Sequence, residues 1–170
     1  MKTIGMIIVF IIVAVVSIIY IILNKARNKV KENYSALETN FKKRWDIIPN
    51  LVETVKQYSV FEESFLEKLE LLRNQQYENF NVEQKVNIDE NISKVLTKMM
   101  EMAEDYSELK SDESYINLSK QLNKLENDIV NNKDEYNKFA KEYNRKIEAI
   151  PNNIVAILFG FNEEKVFDNN

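Results

Sequence analysis

The sequence predicts an all-α protein with an N-terminal transmembrane helix followed by an antiparallel bundle of three or four long helices. Three observations lead to this fold class. Residues 4–23 form an uncharged apolar run, the remainder is charged and patterned at helical spacing, and only two glycines and two prolines occur in 170 residues. No segment shows the alternation typical of a strand bounded by turn residues.

The apolar run is long enough to cross a bilayer as a helix. Its sequence is IGMIIVFIIVAVVSIIYIIL, and a hydrocarbon core of about 30 Å needs about 20 residues at a rise of 1.5 Å. A cleaved signal peptide is the alternative, but its apolar region has roughly 7–15 residues and ends in a small-residue cleavage site. Here residues 24–27 read NKAR. We therefore expect residues 1–24 to be a retained single-pass anchor that contacts the lipid bilayer through residues 4–23.

Flanking charge predicts the orientation of this anchor. Only Lys2 precedes the run, whereas four basic residues follow it within two turns: Lys25, Arg27, Lys29 and Lys31. The positive-inside rule then places the N-terminus outside and the large C-terminal part in the cytoplasm.

Composition excludes several classes of site. The chain has no histidine and no cysteine, which removes zinc-finger, Cys–His and Ser–His–Asp sites and any disulfide. Two glycines cannot build a phosphate-binding glycine-rich loop. After the apolar run the chain carries 22 basic and 27 acidic residues, a balance that argues against nucleic acid as a partner. We expect a non-catalytic protein without a cofactor or metal.

The helix that leaves the membrane carries one apolar stripe at spacings of three and four. The stripe is formed by Val30, Tyr34, Leu37, Phe41, Trp45 and Ile48, and it resumes at Leu51, Val52, Val55 and Tyr58. Pro49 lies within it, lacks a backbone donor and disfavours a helix interior by about 3 kcal/mol. The sequence therefore predicts a kink or a short break at Pro49.

Capping boxes mark the beginnings of the middle helices. Residues Ser59–Glu62 fit one box, whose helix fades near Asn79, and Asn81–Gln84 fit a second, weaker one. The polar stretch Ser107–Ser114 predicts a connection, with Ser111 or Asp112 as the next cap.

The last long helix has an unbroken seven-residue apolar period, which indicates a coiled-coil-like seam. The seam consists of Tyr115, Leu122, Ile129, Tyr136, Tyr143 and Ile150, with Leu118, Leu125 and Phe139 at partner positions. Pro151 ends this helix or opens a new one. A short apolar turn then runs to Phe159 and stops at Gly160. The bundle is thus expected over residues 25–161, with a polar C-terminal tail at 162–170.

Two blocks of sequence resemble the LemA family of bacterial membrane-anchored helical proteins. Residues 42–56 read KKRWDIIPNLVETVK, close to the family signature RRYDLIPNLVETVK. The second block has two Tyr-Asn pairs seven residues apart, at 136–137 and 143–144, followed by IPNNIVAILFGF at residues 150–161. Departures are Trp45 for Tyr, Ile150 for Phe and Lys133 for Arg. The resemblance implies a helical bundle at the bacterial cytoplasmic membrane, and it defines no molecular activity.

Candidate site residues fall into three groups. Arg44, Asp46, Pro49, Asn50 and Glu53 surround the proline and could form a polar niche for a peptide or ion, although Asp46 or Asn50 could instead cap the broken helix ends.

The second and third groups lie in the C-terminal half. Tyr136, Asn137, Tyr143 and Asn144 place two rings in the seam and two amides beside it, which could bridge to Arg44 or Glu53. The third group contains Pro151, Phe159 and Phe161, around an apolar turn that either folds back on the bundle or faces a partner or the bilayer.

These features predict a membrane-anchored scaffold or adaptor that recruits a membrane or membrane-proximal protein. Two alternatives remain. One is a sensor that binds a small ligand, peptide or lipid in a cavity between helices. The other is a hydrolase or transferase that uses only Asp, Glu, Lys or Tyr, for which no spacing in the sequence assembles a site.

Overall fold

The computed structural model describes residues 2–58, 67, 71 and 80–167. Over these residues the protein is all-α and has no strand, which confirms the predicted fold class. The helices are α1 (Lys2–Lys56), α2 (Val82–Glu104), α3 (Ser107–Lys110), α4 (Glu113–Glu148) and α5 (Asn152–Phe159). The helix predicted to begin at Ser59 lies outside the described residues, apart from Glu67 and Leu71.

Helix α1 contains both the apolar run and the stripe that follows it. Of the helices described, it is the one long and apolar enough to cross a membrane. It also runs through Pro49 without the predicted break. The residues around the proline explain this, because Ile48, Leu51 and Val52 are buried and their packing offsets the cost of the missing backbone donor.

The chain divides into two compact units. The terminal unit comprises Met1–Leu37 and Asn131–Asn170, and the central unit comprises Glu38–Val130.

The central unit is built on apolar faces of α1, α2 and α4. Its core contains Ile48, Leu51, Val52 and Val55 of α1, Ile92, Leu96, Met99 and Ala103 of α2, Leu109 of α3, and Tyr115 and Leu122 of α4. Glu38 pairs with Lys85 and Arg44 with Asp89, so α1 and α2 run in the same direction. Arg44 also pairs with Glu126, and Tyr58 with Asp112, so α4 runs antiparallel to α1.

Side-chain caps begin two helices of the central unit where the sequence predicts them. The Asn81 side chain accepts a hydrogen bond from the Gln84 backbone, and the Gln84 side chain accepts one from the Asn81 backbone, each at 2.9 Å. Asp112 accepts from the Tyr115 backbone at 2.8 Å and caps α4. The predicted connection also contains the one-turn helix α3, which buries Leu109.

The terminal unit pairs the first part of α1 with the last part of α4. The rings of Tyr34 and Tyr136 lie 6.0 Å apart, and Lys29 lies 5.4 Å from the centre of the Phe139 ring. These contacts again make the two helices antiparallel.

The predicted seam of α4 is correct except at its last member. Tyr115, Leu122, Ile129, Tyr136 and Tyr143 are all buried, but Ile150 is 83% exposed. Helix α4 ends at Glu148. The seven-residue period therefore does not extend to Ile150 and does not place its side chain in the core. Ile147 provides the last buried apolar side chain of the helix.

Helix α5 ends as the sequence predicts. Gly160 adopts a left-handed conformation with φ of 69° at the end of the helix, which a residue without a Cβ does at low cost.

Candidate functional site

Arg44 lies at the centre of a buried polar cluster in the central unit. Its side chain is 1% exposed and forms ion pairs with the carboxylates of Asp89 and Glu126. Nη1 also donates to Ser93 Oγ at 2.8 Å, and Nη2 donates to the Asp89 carbonyl at 2.8 Å. One guanidinium therefore joins α1, α2 and α4.

The chemistry of this cluster is that of a structural clamp. A guanidinium presents several donors in a rigid plane, and at this site two carboxylates, a hydroxyl and a carbonyl accept from it. Because Arg44 is almost wholly enclosed, both of its Nη groups are directed at these neighbouring helices, whereas the buried Nε has no hydrogen-bond partner in the described part of the chain. A buried charge is tolerated only when it is paired and hydrogen-bonded in this way.

The polar residues around Pro49 are not gathered into a niche with Arg44. Pro49 is half-buried, whereas Asp46, Asn50 and Glu53 are exposed on the surface of α1. The capping role predicted for Asp46 or Asn50 is also wrong, because the helix continues past Pro49 and has no broken end there.

Three side chains of α4 hydrogen-bond to the backbone of residues 164–167 in the terminal unit: Tyr136, Asn137 and Asn144. Asn144 donates to the Glu164 carbonyl at 2.8 Å and accepts from the Glu164 amide at 2.9 Å. Asn137 makes the same two bonds to the Phe167 backbone, each at 2.9 Å. We call these two side chains the asparagine ladder. The two asparagines are seven residues apart in the helix, and the residues whose backbone they bind are three apart.

Tyr136 supports the same contact, whereas the buried hydroxyl of Tyr143 has no hydrogen-bond partner among the described residues. Tyr136 donates to the Lys165 carbonyl at 2.8 Å, and its ring stacks on Phe167 with centroids 4.7 Å apart. Burial raises the pKa of Tyr136 to about 12, because the phenolate would lose its hydration. Tyr143 is fully buried, and burial raises its pKa as well.

The asparagines were expected to bridge to Arg44 or Glu53, and the structure instead gives them backbone partners in residues 164–167. Sequence analysis treats residues 162–170 as a polar tail, yet Phe167 is only 5% exposed. The apolar pair Val166-Phe167 in a polar stretch is the signal that could have revealed this packing.

Helix α5 follows Pro151 and lies beside the end of the apolar run. The Phe159 and Phe161 rings lie 5.0 Å and 5.6 Å from the Tyr20 ring, and the Arg27 guanidinium carbon lies 5.9 Å from the Phe161 centroid. Phe161 is buried, Pro151 is exposed and Phe159 is 49% exposed. The apolar turn therefore folds back through some of its residues and leaves others uncovered.

A cavity of about 310 Å³ lies between α1 and α4 in the terminal unit. Its walls combine apolar groups with amines and one carboxylate: Ile22, Lys25, Ala26, Lys29, Phe139, Glu142, Tyr143 and Lys146. Lys146 pairs with Glu142 at 2.7 Å, and Lys29 pairs with Glu32 at 3.2 Å. Across residues 2–58 and 80–167, no group of three or more acidic side chains is placed to hold a metal ion.

Sequence reasoning missed the partners of Arg44. Asp89 lies in the buried stripe of α2, three residues after Val86 and three before Ile92, and all three are buried. An acidic residue at such a position requires a buried cation. That pattern is readable from the sequence, but the exposed-face residue Glu126 carries no comparable signal.

The family model for LemA matches residues 33–170. This range includes the Arg44 cluster, the asparagine ladder and α5. The chain belongs to the LemA family. No curated protein matches the chain in a separate search. Family membership fits association with a membrane, and residues 4–23 of α1 supply a helix suited to it.

Proposed function

We propose that this LemA-family chain is a non-catalytic, membrane-anchored scaffold or adaptor that recruits a membrane or membrane-proximal protein. The observation that supports it most is the continuity of α1 from Lys2 to Lys56. Within the terminal unit this helix carries an exposed apolar surface at residues 4–15 and buried positions at Leu23, Val30 and Leu37. The anchor thus continues as one helix into the folded part of that unit, without an intervening loop.

Such a connection would suit an adaptor. Tethering raises the local concentration of the body at the bilayer without any new contact. The charges flanking residues 4–23 favour the cytoplasmic side for the body.

Site-specific photocrosslinking in intact cells tests the adaptor. A photoreactive amino acid is placed, one position at a time, at exposed sites on α2 and α4, such as Glu101, Asn123 and Lys141. An adaptor gives adducts with one partner at neighbouring positions of a single helical face. Equal adducts at every position, or none at any, would contradict the proposal.

The matched control is the same set of positions in a chain that carries Ile11→Arg and Val15→Arg. Each arginine at the centre of a membrane helix opposes insertion by about 2.5–3.5 kcal/mol. A partner recruited at the membrane should be lost from this variant.

The lysine-lined cavity favours a second candidate function, a sensor for an anionic amphiphile. Apolar walls from Ile22 and Phe139 would receive a hydrocarbon part, and Lys25 and Lys29 would receive the acidic group. Both lysines lie within two helical turns of the end of the apolar run, at the level where basic residues meet lipid headgroups. We therefore take the ligand to be an anionic lipid.

Native mass spectrometry of the detergent-solubilised chain tests this second function. Phosphatidylglycerol should bind more tightly than phosphatidylcholine, and Lys25→Gln with Lys29→Gln should remove the difference. The control is Lys141→Gln, which changes an exposed lysine of α4 that does not line the cavity. Equal retention of both lipids by the native chain would rule the sensor out.

A further inference from the structure

Helix α5 has one buried and one exposed apolar face. Val155 and Ala156 are buried, whereas Ile154, Ile157 and Leu158 are 66%, 83% and 71% exposed. The helix, of sequence NNIVAILF, contains no charged residue. Large apolar side chains exposed together on a short helix indicate a surface that is covered by another apolar phase.

The position of α5 beside the apolar run indicates which apolar phase covers this surface. The rings of Phe159 and Phe161 contact Tyr20, which lies within the apolar run 4–23. Ile19 and Leu23 of that run are buried, Leu23 completely. The terminal unit therefore covers the last turn of the segment expected to lie in lipid.

The length of the covered part of the apolar run matches the depth at which an interfacial helix lies. From Ile19 to Leu23 a helix rises about 6 Å, and helices that lie in the membrane interface bury their apolar face by roughly 5–10 Å. Lys25 and Arg27 follow within the next turn, at the level where cations meet lipid headgroups.

We propose that the exposed face of α5, formed by Ile154, Ile157 and Leu158, lies in the interfacial layer of the bilayer that α1 crosses. The inference rests on the proposed membrane anchor. The occupant of this face is lipid acyl chain, and the chain then contacts its membrane at two places, the transmembrane segment and α5.

Fluorescence quenching in vesicles tests this placement. The chain has no cysteine, so Ile157→Cys, Leu158→Cys, Phe10→Cys and Val130→Cys each give one labelling site. Val130 is 51% exposed in the central unit and serves as the matched control. The full chain, labelled with an environment-sensitive fluorophore, is reconstituted in phosphatidylcholine vesicles containing lipids with a nitroxide either near the headgroup or near the acyl-chain end.

The expected result is shallow quenching at residues 157 and 158, at least ~2-fold above that at residue 130, since an interfacial helix buries only the upper acyl region. Quenching at residue 10 with none at 157 and 158 overturns the inference and leaves the anchor standing. Deep quenching at 157 and 158 overturns the interfacial placement. No quenching at residue 10 overturns both the anchor and the inference.

Discussion

At the residue scale, the central unit depends on the pairing of one buried cation. Arg44 is 1% exposed and contacts three other side chains and one backbone carbonyl. Removing Arg44 leaves the buried Asp89 carboxylate without this counter-charge. The penalty then exceeds the net contribution of the pair itself.

The substitution Arg44→Ala should destabilise the protein by about 3–5 kcal/mol, because Asp89 loses its counter-charge within the core. Urea unfolding of the detergent-solubilised chain, followed by circular dichroism, measures this. Lys43→Ala changes the exposed neighbouring cation and should have little effect. Similar losses in the two variants would show that the cluster does not stabilise the fold.

The substitution Tyr136→Phe removes the hydrogen bond to the Lys165 carbonyl and keeps the ring, so we expect a loss of about 1 kcal/mol near neutral pH. The pKa of Tyr136 is raised to about 12 in the folded chain, above about 10 in the unfolded chain. The contribution of the protonated phenol is therefore fully present below pH 10 and is lost between about pH 10 and 12.

The difference in unfolding free energy between the native chain and Tyr136→Phe should therefore fall as the pH rises through this range, because ionisation of Tyr136 favours the unfolded chain. The other tyrosines are common to both proteins and cancel in the difference. A difference that stays constant from pH 9 to pH 12 would exclude a raised pKa at this residue.

At the element scale, helix ends were easier to predict than interruptions within helices. Asn81, Asp112 and Gly160 act through local hydrogen bonds or a local backbone conformation, so their neighbours in sequence suffice to identify them. The break predicted as one alternative at Pro49 is absent, because packing of the neighbouring apolar residues keeps the helix continuous. Ile150 was wrongly assigned to the seam because α4 ends at Glu148, just before Pro151.

The substitution Asn81→Ala should weaken α2 by about 1 kcal/mol, because the backbone N–H of Gln84 loses its side-chain acceptor. Thermal unfolding measures the change. Asn91→Ala, at an exposed position within the same helix, serves as the control and should be neutral or slightly stabilising. An equal effect at the two positions would argue against a specific cap.

The substitution Pro49→Ala should leave the protein folded and stabilise it by up to about 3 kcal/mol, since alanine restores a helical donor in an unbroken α1. Near-UV circular dichroism of Trp45, the one tryptophan of the chain, reports on the surrounding packing. A molten domain after this change would show that the proline has a deeper packing role.

At the scale of the whole molecule, the sequence predicted the all-α class and the apolar span because both depend on composition and period. The partners within each unit were less predictable. Arg44 and Asp89 are 45 residues apart in sequence, and the asparagine ladder pairs with backbone atoms, which carry no side-chain signature at all.

Cysteine labelling of cells that express Thr3→Cys or Asn123→Cys tests the predicted orientation. A membrane-impermeant maleimide should label residue 3 in intact cells and residue 123 only after permeabilisation, because the basic residues after the span favour a cytoplasmic body. The two sites lie on opposite sides of the span in the sequence and share the same cysteine-free background. The reverse pattern would place the body outside.

The asparagine ladder recognises the main chain of residues 164 and 167 through paired amide bonds. The peptide group is chemically the same at almost every residue. These bonds therefore fix the path of the backbone more than they restrict which side chains the segment carries. Outward-facing positions such as Glu163 should tolerate substitution during evolution, whereas the side-chain amides of Asn137 and Asn144 and the aromatic ring of Phe167 should not. Residues 164–167 therefore resemble a bound peptide within the same chain, and the site that holds them contacts their backbone and few of their side chains.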